Sequence, residues 1–223
     1  MTPPPPRGAK KRARLTVERL RALYAAATEL SHENPFQLLI ATILSAQTTD
    51  RSVNQITPEL YRRYPTPADL AAANPAEVEK LVKPTGFFRA KTHRIIAASR
   101  ALTEQFGGVV PDNLDDLVKI PGIGRKTANV ILGAGFGVPG FAVDTHVIRL
   151  TNLLKLVATR DPVKIEFQIC SMVPKEEWTG LSLRLILHGR RVCVARRPKC
   201  DECVLNEFCP SSWFIPPRRI RTT

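Results

Sequence analysis

A lysine and an aspartate are the residues of this sequence best placed for covalent chemistry. Lys126 ends the segment 120–126 (IPGIGRK), directly after Arg125, and Asp144 lies in the segment 143–146 (VDTH). An unperturbed lysine has a pKa of about 10.4, and only its free amine is a nucleophile. Adjacent cations, a helix N-terminus and partial desolvation disfavour the protonated form. Lys126 is therefore a candidate nucleophile.

Asp144 has two compatible roles. It precedes a predicted helix over 145–153, where an aspartate is a good N-cap, and its carboxylate is also a candidate partner for Lys126. A nearby carboxylate raises the pKa of a lysine whereas cations lower it, so the sequence leaves the net direction open. His146 either bonds locally or contacts a phosphate.

Gly122 and Gly124 predict a tight hairpin between two helices, the second over 125–134. Glycines allow unusual backbone angles, and their lack of a side chain lets a phosphate come close. The amides of the hairpin and of the following helix N-terminus are donors for that phosphate. An ordinary helix–turn–helix connection is the alternative. With the cations Arg125 and Lys126 alongside, we interpret the segment as a grip on a DNA backbone.

Four cysteines fall within seventeen residues with the spacing C-x6-C-x2-C-x5-C. Disulfides are disfavoured because residues near Met1 lack the apolar region of a secretory signal. Structural zinc usually takes two close pairs, and here one pair is close. A compact loop of thiolates surrounded by cations favours an iron–sulfur cluster, since such neighbours also favour the thiolate form. Cys170, at helical spacing among apolar residues, is predicted to be a core thiol. The four are Cys193, Cys200, Cys203 and Cys209.

The charge balance indicates a polyanionic partner. Lys and Arg number 33 against 20 Asp and Glu, which gives a net charge of +13. Nucleic acid is the usual partner of such a surplus, although a generic basic protein is the alternative. Residues 184–199 contain no acid, and their cations are Arg184, Arg190, Arg191, Arg196, Arg197 and Lys199.

Apolar spacing predicts an all-α chain joined by short loops, with a proline-rich, basic, disordered arm over residues 1–14. Asn34, Pro35 and Gln37 form a helix start ahead of an apolar stripe. Asp112 is predicted to cap a short helix. No apolar run is long enough to span a membrane. Further helices are predicted over 16–30, 50–63, 67–72, 75–82, 88–106 and 112–119.

Two short segments separate neighbouring helices and hold further candidate residues. The segment 45–50 (SAQTTD) has a plain interpretation as a solvated loop whose Asp50 caps the next helix. In the segment 85–89 (TGFFR), Phe87 and Phe88 cannot both face the core from one helix start. An exposed aromatic in a DNA-binding protein can wedge into a base stack.

Together these segments resemble the bacterial endonuclease III family, the iron–sulfur, helix–hairpin–helix DNA glycosylases with AP-lyase activity. The resemblance covers about residues 17–210, and the combination in this order is more specific than any one motif. The motifs are Ser45–Gln47, Ile120–Asn129, Val143–His146, Leu187–Arg190 and the four-cysteine loop.

The resemblance implies a role for each matching residue. Lys126 matches the nucleophilic lysine, Asp144 the catalytic carboxylate, and the four cysteines the ligands of a [4Fe–4S] cluster. Gln47 corresponds to the residue that fills the gap left by a flipped base. Phe87 falls where the family places an apolar wedge, often leucine, and is a departure that leaves the opposite-base preference in doubt. The other expected DNA contacts are Gly122, Gly124, Arg125 and His146.

The resemblance also implies a two-lobed helix–hairpin–helix glycosylase fold, with a six-helix barrel over 28–138 and a cluster domain formed by 15–27 plus 139–223. Lys126 and Asp144 would then face each other across the boundary. The implied activity is removal of damaged, mainly oxidised pyrimidines from double-stranded DNA and cleavage 3′ to abasic sites. We expect a bacterial, cytoplasmic, nucleoid-associated monomer with no membrane partner. The alternatives are an adenine-mismatch glycosylase of the same fold and a non-catalytic DNA-binding module.

Overall fold

A computed structural model describes residues 4–214, and their regular structure is helical with no β-strand, which confirms the all-α prediction. No helix in this range is long and apolar enough to cross a membrane. The helices are α1 (Ala9–Leu23), α2 (Pro35–Leu44), α3 (Asp50–Arg63), α4 (Pro67–Ala71), α5 (Pro75–Val82), α6 (Phe88–Phe106), α7 (Leu114–Leu117), α8 (Arg125–Phe136), α9 (Thr145–Leu153), α10 (Pro162–Cys170) and α11 (Trp178–Arg191).

The chain divides into two compact units, each with its own core. The hairpin unit is Thr28–Gly140. The cysteine unit comprises the described residues of Met1–Ala27 and Phe141–Thr223. These limits come from packing alone. The roles that the sequence analysis gave to the domains 28–138 and 15–27 plus 139–223 stay predictions.

Helix α2 is the central helix of the hairpin unit. The Asn34 side chain accepts a hydrogen bond from the Gln37 amide at 2.9 Å, and Pro35 occupies the first turn, as predicted. The Gln37 side chain bonds the Glu33 amide instead of reaching back to Asn34. Every residue from Phe36 to Leu44 is buried, because α3, α6 and α8 pack around the helix. This core supports the turns that precede α6 and α8.

Helix α11 has the corresponding place in the cysteine unit, where it packs against α1 and α9. Its buried face is partly polar and includes Ser182, Arg184 and His188. The Ser182 hydroxyl donates to the Ala142 carbonyl at 2.6 Å. The last turn of α11 leads directly into the cysteine loop, so these buried contacts fix where that loop begins.

The first helix starts earlier than the sequence predicted. It spans Ala9–Leu23 rather than 16–30, so the expected disordered arm over 1–14 is wrong for residues 9–14. Ala9, Ala13 and Val17 lie on one buried face, and their small side chains hid the periodicity. Arg12 fastens this turn, since its guanidinium donates to the carbonyls of Leu154 at 2.8 Å and Lys155 at 2.6 Å. Residues 1–3 of the arm lie outside the described residues.

Two predicted caps are wrong by one residue. Asn113, not Asp112, caps α7 by accepting from the Asp116 amide at 3.0 Å. Thr49, not Asp50, caps α3. In both places two good capping residues are adjacent, and the neighbouring turn decides which one takes the extended backbone that an N-cap needs.

Candidate active site and cysteine cluster

The turn between α7 and α8 is anchored from below by two isoleucines. Ile120 and Ile123 are buried in the core of the hairpin unit, and the Ile123 amide donates to the Ile120 carbonyl at 3.0 Å. Gly122 has a φ of 86°, in the left-handed region that favours glycine. The turn is therefore held rigidly while its outer side stays exposed.

Of the two features predicted for Gly124, backbone freedom and the lack of a side chain, the turn does not require the first. The φ of Gly124, −92°, is accessible to any residue, so the turn does not require glycine here. A Cβ built at Gly124 would meet no atom within 4 Å. As the N-cap of α8, Gly124 brings no side-chain oxygen to the first-turn amides. The absence of a side chain leaves open space beside a positive helix N-terminus, which suits an approaching anion.

Lys126 is exposed in the first turn of α8, and the buried face of that helix lies elsewhere, at Ala128, Asn129, Ile131 and Leu132. Arg125 precedes it and is half-buried. A residue that the sequence analysis did not assign to the hairpin is Arg94 of α6. Its side-chain carbons lie within 4 Å of where a Cβ on Gly122 would be. The basic start of α6 was the available signal, but only the fold brings it to the hairpin.

Gln47 and Phe87 share an unusual backbone geometry. Gln47 has a φ of 56° and Phe87 a φ of 47°, both in the left-handed region, and both side chains are exposed. Phe87 is 68% exposed, while Phe88 packs against the core, so the expectation that one of the two is exposed is confirmed. Non-glycine residues in this region cost about 1 kcal/mol or more, and such strain often lies at functional sites.

Asp144 and His146 lie at the start of α9 in the cysteine unit. Asp144 is the N-cap, as predicted, and its Oδ1 accepts from the Val147 amide at 2.8 Å. This bond fixes the carboxylate at the helix end. His146 packs against Gly189 of α11, where an added Cβ would lie 3.0 Å from the His146 ring. Burial lowers the pKa of His146, with Asp144 opposing and Arg149 and Arg190 reinforcing the shift. Of the two roles predicted for His146, these contacts favour local bonding over contact with a phosphate.

The four cysteines of the loop line one cavity of about 70 Å³, together with apolar neighbours such as Leu153 and Val192. In the described part of the chain no three His, Cys, Asp or Glu residues are arranged to hold a metal ion. The four thiols instead surround a space larger than one ion. An all-sulfur donor set around such a space suits an iron–sulfur cluster.

The electrostatics of these thiols differ from the sequence prediction. Burial raises the pKa of Cys193, Cys203 and Cys209, that of Cys203 to about 11, despite the opposing effect of Arg149 on Cys193. Nearby cations therefore do not by themselves make thiolates here. A bound cluster must supply the free energy that deprotonates its ligands.

Tyr24 and His188 form a hydrogen-bonded chain to Cys203. The Tyr24 hydroxyl lies 3.2 Å from His188 Nδ1, and His188 Nε2 lies 3.3 Å from Cys203 Sγ. Because a thiolate ligand carries no proton, Nε2 is the donor to sulfur and Nδ1 accepts from Tyr24. Burial lowers the pKa of His188 to about 4, which keeps the ring neutral. In the sequence His188 stands out only as part of the motif Leu187–Arg190, because its partners Tyr24 and Cys203 are distant in the chain.

Two arginines of the cysteine unit point inward. Arg149 donates to the carbonyls of Gly189 at 3.0 Å and Cys193 at 2.7 Å. Arg184 is 9% exposed and donates to the Tyr24 carbonyl and to Glu177. Of the six cations in residues 184–199, Arg184 therefore faces the interior, because helical spacing places it with Leu181 and His188 on the buried face of α11.

Comparison with known proteins agrees with this geometry. A family model described as "HhH-GPD superfamily base excision DNA repair protein" matches residues 40–175, and a model of the iron–sulfur binding domain of endonuclease III matches residues 193–209. The endonuclease III of Synechocystis is 46% identical over 91% of this chain and 94% of its own length. That of Escherichia coli K12 is 41% identical over 82% and 86%. The chain belongs to the endonuclease III family.

Solved structures give the same result. An endonuclease III trapped as a covalent intermediate with DNA is 39% identical, with a TM-score of 0.85 over 91% of this chain and 96% of that one. A non-covalent endonuclease III–DNA complex matches equally well. A thermostable thymine-DNA glycosylase, at 21% identity and a TM-score of 0.81, shares the fold.

Membership of the endonuclease III family establishes the activity and the cofactor. The protein is a base excision repair DNA glycosylase and AP lyase that binds DNA, and its cysteine loop holds a [4Fe–4S] cluster. The cavity between Cys193, Cys200, Cys203 and Cys209 fits that cluster. The assignments of individual residues stay predictions: the four cysteines as the cluster ligands, and Lys126 and Asp144 as a catalytic pair. The predicted DNA contacts are Gln47, Phe87, Gly122, Gly124, Arg125 and His146.

Proposed function

We propose that this enzyme removes damaged, mainly oxidised pyrimidines from duplex DNA and then cleaves the strand 3′ to the abasic site. In this proposal Lys126 is the nucleophile and Asp144 the catalytic carboxylate. The observation that carries it is the exposed lysine in the first turn of α8, directly after an anchored glycine hairpin. A relative trapped covalently on DNA supports chemistry through an enzyme nucleophile.

The glycosylase step begins with a base flipped out of the duplex, which costs a few kcal/mol and less for a damaged base. The unprotonated Lys126 Nζ attacks C1′ of the sugar, and the bond from C1′ to the base breaks. The base leaves with the bonding electrons and takes up a proton. Asp144 stabilises the positive charge that develops on the sugar, and its N-cap bond to Val147 keeps the carboxylate in place.

The lyase step follows from the same adduct. The attached amine loses one proton, the bond from C1′ to the ring oxygen breaks as that oxygen takes up a proton, and a protonated Schiff base joins Lys126 to C1′. The Schiff base acidifies the proton on C2′. Loss of that proton and departure of the 3′ phosphate oxygen complete a β-elimination that cuts the strand, and water then releases Lys126.

The remaining residues bind the DNA and hold its backbone and bases in position. Gly122, Gly124 and the amides of α8 bind a backbone phosphate, with Arg125 adding charge. Gln47 fills the space of the flipped base and Phe87 separates neighbouring bases. His146 is the weakest of the proposed DNA contacts because its ring packs on Gly189. The cluster supplies no redox step in this chemistry and keeps the cysteine loop folded.

Borohydride trapping on abasic duplex DNA tests the nucleophile. We expect a covalent adduct with the native enzyme and none with Lys126→Gln, and base excision should fall by roughly 10³-fold or more. Lys119→Gln is the matched control, since Lys119 is an exposed lysine just before the hairpin that pairs with Asp116 at 2.6 Å. Robust trapping by Lys126→Gln would reject this nucleophile.

Asp144→Asn tests the carboxylate without removing the cap, because asparagine caps helices as well as aspartate does. Excision should fall by about 10²-fold or more while the unfolding temperature stays close to that of the native enzyme. Unchanged excision rates would exclude a catalytic role for the charge.

A panel of lesions in duplex DNA tests the substrate class. Oxidised pyrimidines should be excised faster than mismatched adenine, which is the substrate of the alternative adenine-mismatch glycosylase. Binding without excision of any base would favour a non-catalytic module. We also propose that the enzyme acts as a monomer, which sedimentation with and without DNA would check.

A further inference from the structure

The turn that carries Phe87 has a costly backbone. Gly86 has a φ of 69° and a ψ of 162°, a region that only glycine occupies readily. Phe87 follows at a φ of 47°, with its ring 68% exposed. Neither the strain nor the exposure of a large aromatic ring is favourable on its own. Something in the hairpin unit must hold this turn in place.

Lys91, in the first turn of α6, lies directly beneath the turn. Its side chain is 2% exposed, and its ammonium donates to the Thr85 carbonyl at 2.7 Å. The Lys91 amide also donates to the Phe87 carbonyl at 3.1 Å. Thr85 is fixed in turn, because its hydroxyl donates to the Val82 carbonyl at 2.8 Å. The lysine therefore ties both ends of the Gly86–Phe87 step to the rigid end of α5 and the start of α6.

A buried ammonium is an expensive way to fill this space. Taking a charge out of water disfavours the charged form, and burial lowers the pKa of Lys91 accordingly. A methionine has nearly the same length and shape and carries no charge. If position 91 only had to fill space in the core, methionine would pack there as well as lysine does. The feature that methionine lacks is the N–H donor aimed at Thr85.

We propose that Lys91 is a positioning residue for the Phe87 wedge: its buried ammonium holds the Thr85 carbonyl so that Gly86 and Phe87 project outward, ready to enter the base stack. This inference rests on the proposed role of Phe87 in base flipping. Holding the wedge in advance lowers the ordering cost that would otherwise be met during DNA binding.

A wedge matters most when a base must be extruded. Opening a stacked, paired base costs a few kcal/mol, whereas an abasic site has no base to extrude. Loss of Lys91 should therefore slow excision of a damaged base more than cleavage at a preformed abasic site. A residue with only a structural role would affect both reactions together.

The test is a double-mutant cycle between Lys91→Met and Phe87→Ala, with single-turnover excision measured after alkaline cleavage so that the lyase step does not contribute. We expect Lys91→Met to slow excision by about tenfold and cleavage of a preformed abasic site by less than about threefold. In the Phe87→Ala background the same change should cost less than about a further twofold, because the group it positions is absent.

Lys80→Met is the matched control for the loss of one positive charge, since Lys80 is exposed on the neighbouring helix α5. It should leave both rates within about twofold of native. Equal slowing of excision and abasic cleavage by Lys91→Met, or a full additional loss in the Phe87→Ala background, would overturn the proposal.

Gly86→Ala perturbs the same turn without entering the core, because a Cβ there meets no atom within 4 Å and only the backbone angles are strained. If Lys91→Met fails to fold, this variant must show the same selective loss of excision and the same non-additivity with Phe87→Ala, or the proposal fails. Borohydride trapping by the native enzyme separates this result from the proposed function. A native enzyme that traps, together with additive variants, rejects only the role of Lys91.

Discussion

The hairpin unit and the cysteine unit bury polar side chains in different ways. In the hairpin unit the buried ammonium of Lys91 donates to one carbonyl at the base of an exposed turn. In the cysteine unit Arg184, Arg149 and His188 each contact two or more groups, and these include backbone carbonyls next to irregular segments. The first arrangement shapes a surface, whereas the second holds together a loop that has little regular structure of its own.

The difference follows from what each unit must present. Apolar packing is enough to support helices α2, α6 and α8. A buried polar group in that core therefore serves to fix the conformation of one nearby turn. The cysteine loop has backbone groups that no helix satisfies, and buried polar groups without partners cost about 1–3 kcal/mol each. Arginines with several donors reduce that cost. Stability should therefore depend on buried polar groups much more in the cysteine unit.

The largest expected effect is on Arg184. Arg184→Met should destabilise the cysteine unit by about 2 kcal/mol, because the Tyr24 carbonyl loses a buried donor and Glu177 keeps only its contact with Arg21. Chemical denaturation followed by loss of the cluster's visible absorbance measures this. Lys91→Met, followed by circular dichroism, should change stability by less than about 1 kcal/mol, since relief of the buried charge offsets the lost bond. Equal losses of stability in Arg184→Met and Lys91→Met would show that the two units do not differ in their dependence on buried polar groups.

A smaller effect separates the two glycines of the hairpin. Gly122→Ala should cost about 1–2 kcal/mol, because alanine is strained at a φ of 86°. Gly124→Ala should change stability by less than about 0.5 kcal/mol, as its backbone is extended and its surroundings are open. The affinity of the Gly124→Ala variant for duplex DNA, measured by fluorescence anisotropy, should nevertheless fall, because the new methyl group occupies the space proposed for a phosphate. Unchanged affinity would place the phosphate elsewhere.

The smallest effect compares two tyrosine hydroxyls, one in each unit. Tyr24→Phe and Tyr61→Phe each remove one hydrogen bond, to His188 and to the Gln37 carbonyl, and each should cost about 1 kcal/mol. Only Tyr24→Phe should also increase the rate of iron loss under air, since it frees the His188 ring that bonds Cys203. Iron content over time is the measurement. Equal retention by both variants would mean that the chain to Cys203 has no effect on the cluster.

Much of the fold could be predicted because local patterns and the core agree. The run from Phe36 to Leu44, the prolines that begin α4 and α5, and the glycine after α6 mark elements whose limits depend on neighbours in the sequence. Asp144 as an N-cap and the exposure of one phenylalanine at Phe87–Phe88 came from the same local rules. Where the next few residues decide the outcome, the sequence located each element, although the N-caps of α3 and α7 were predicted one residue away from their true positions.

The rest depends on partners that are distant in the chain. Alanines begin α1 because Leu154 and Lys155, far along the sequence, accept from Arg12. Arg184 looked like a surface cation until helical packing placed it beside Tyr24 and Glu177. Cationic neighbours suggested reactive thiolates, but burial outweighs them at Cys193 and Cys203. Lys91 shows no sequence signal, because a lysine near a basic helix start is ordinarily solvated.

The cysteine unit is formed by both ends of the chain, and this sets an order of events during synthesis. Helix α1 leaves the ribosome early, but its partner α11 follows roughly 150 residues later, which is about 8–30 s at ordinary elongation rates. The hairpin unit is continuous and has all of its residues by Gly140. We expect the nascent chain to contain a folded hairpin unit while the apolar face of α1 is still exposed, until α11 and the four-cysteine loop have been synthesised.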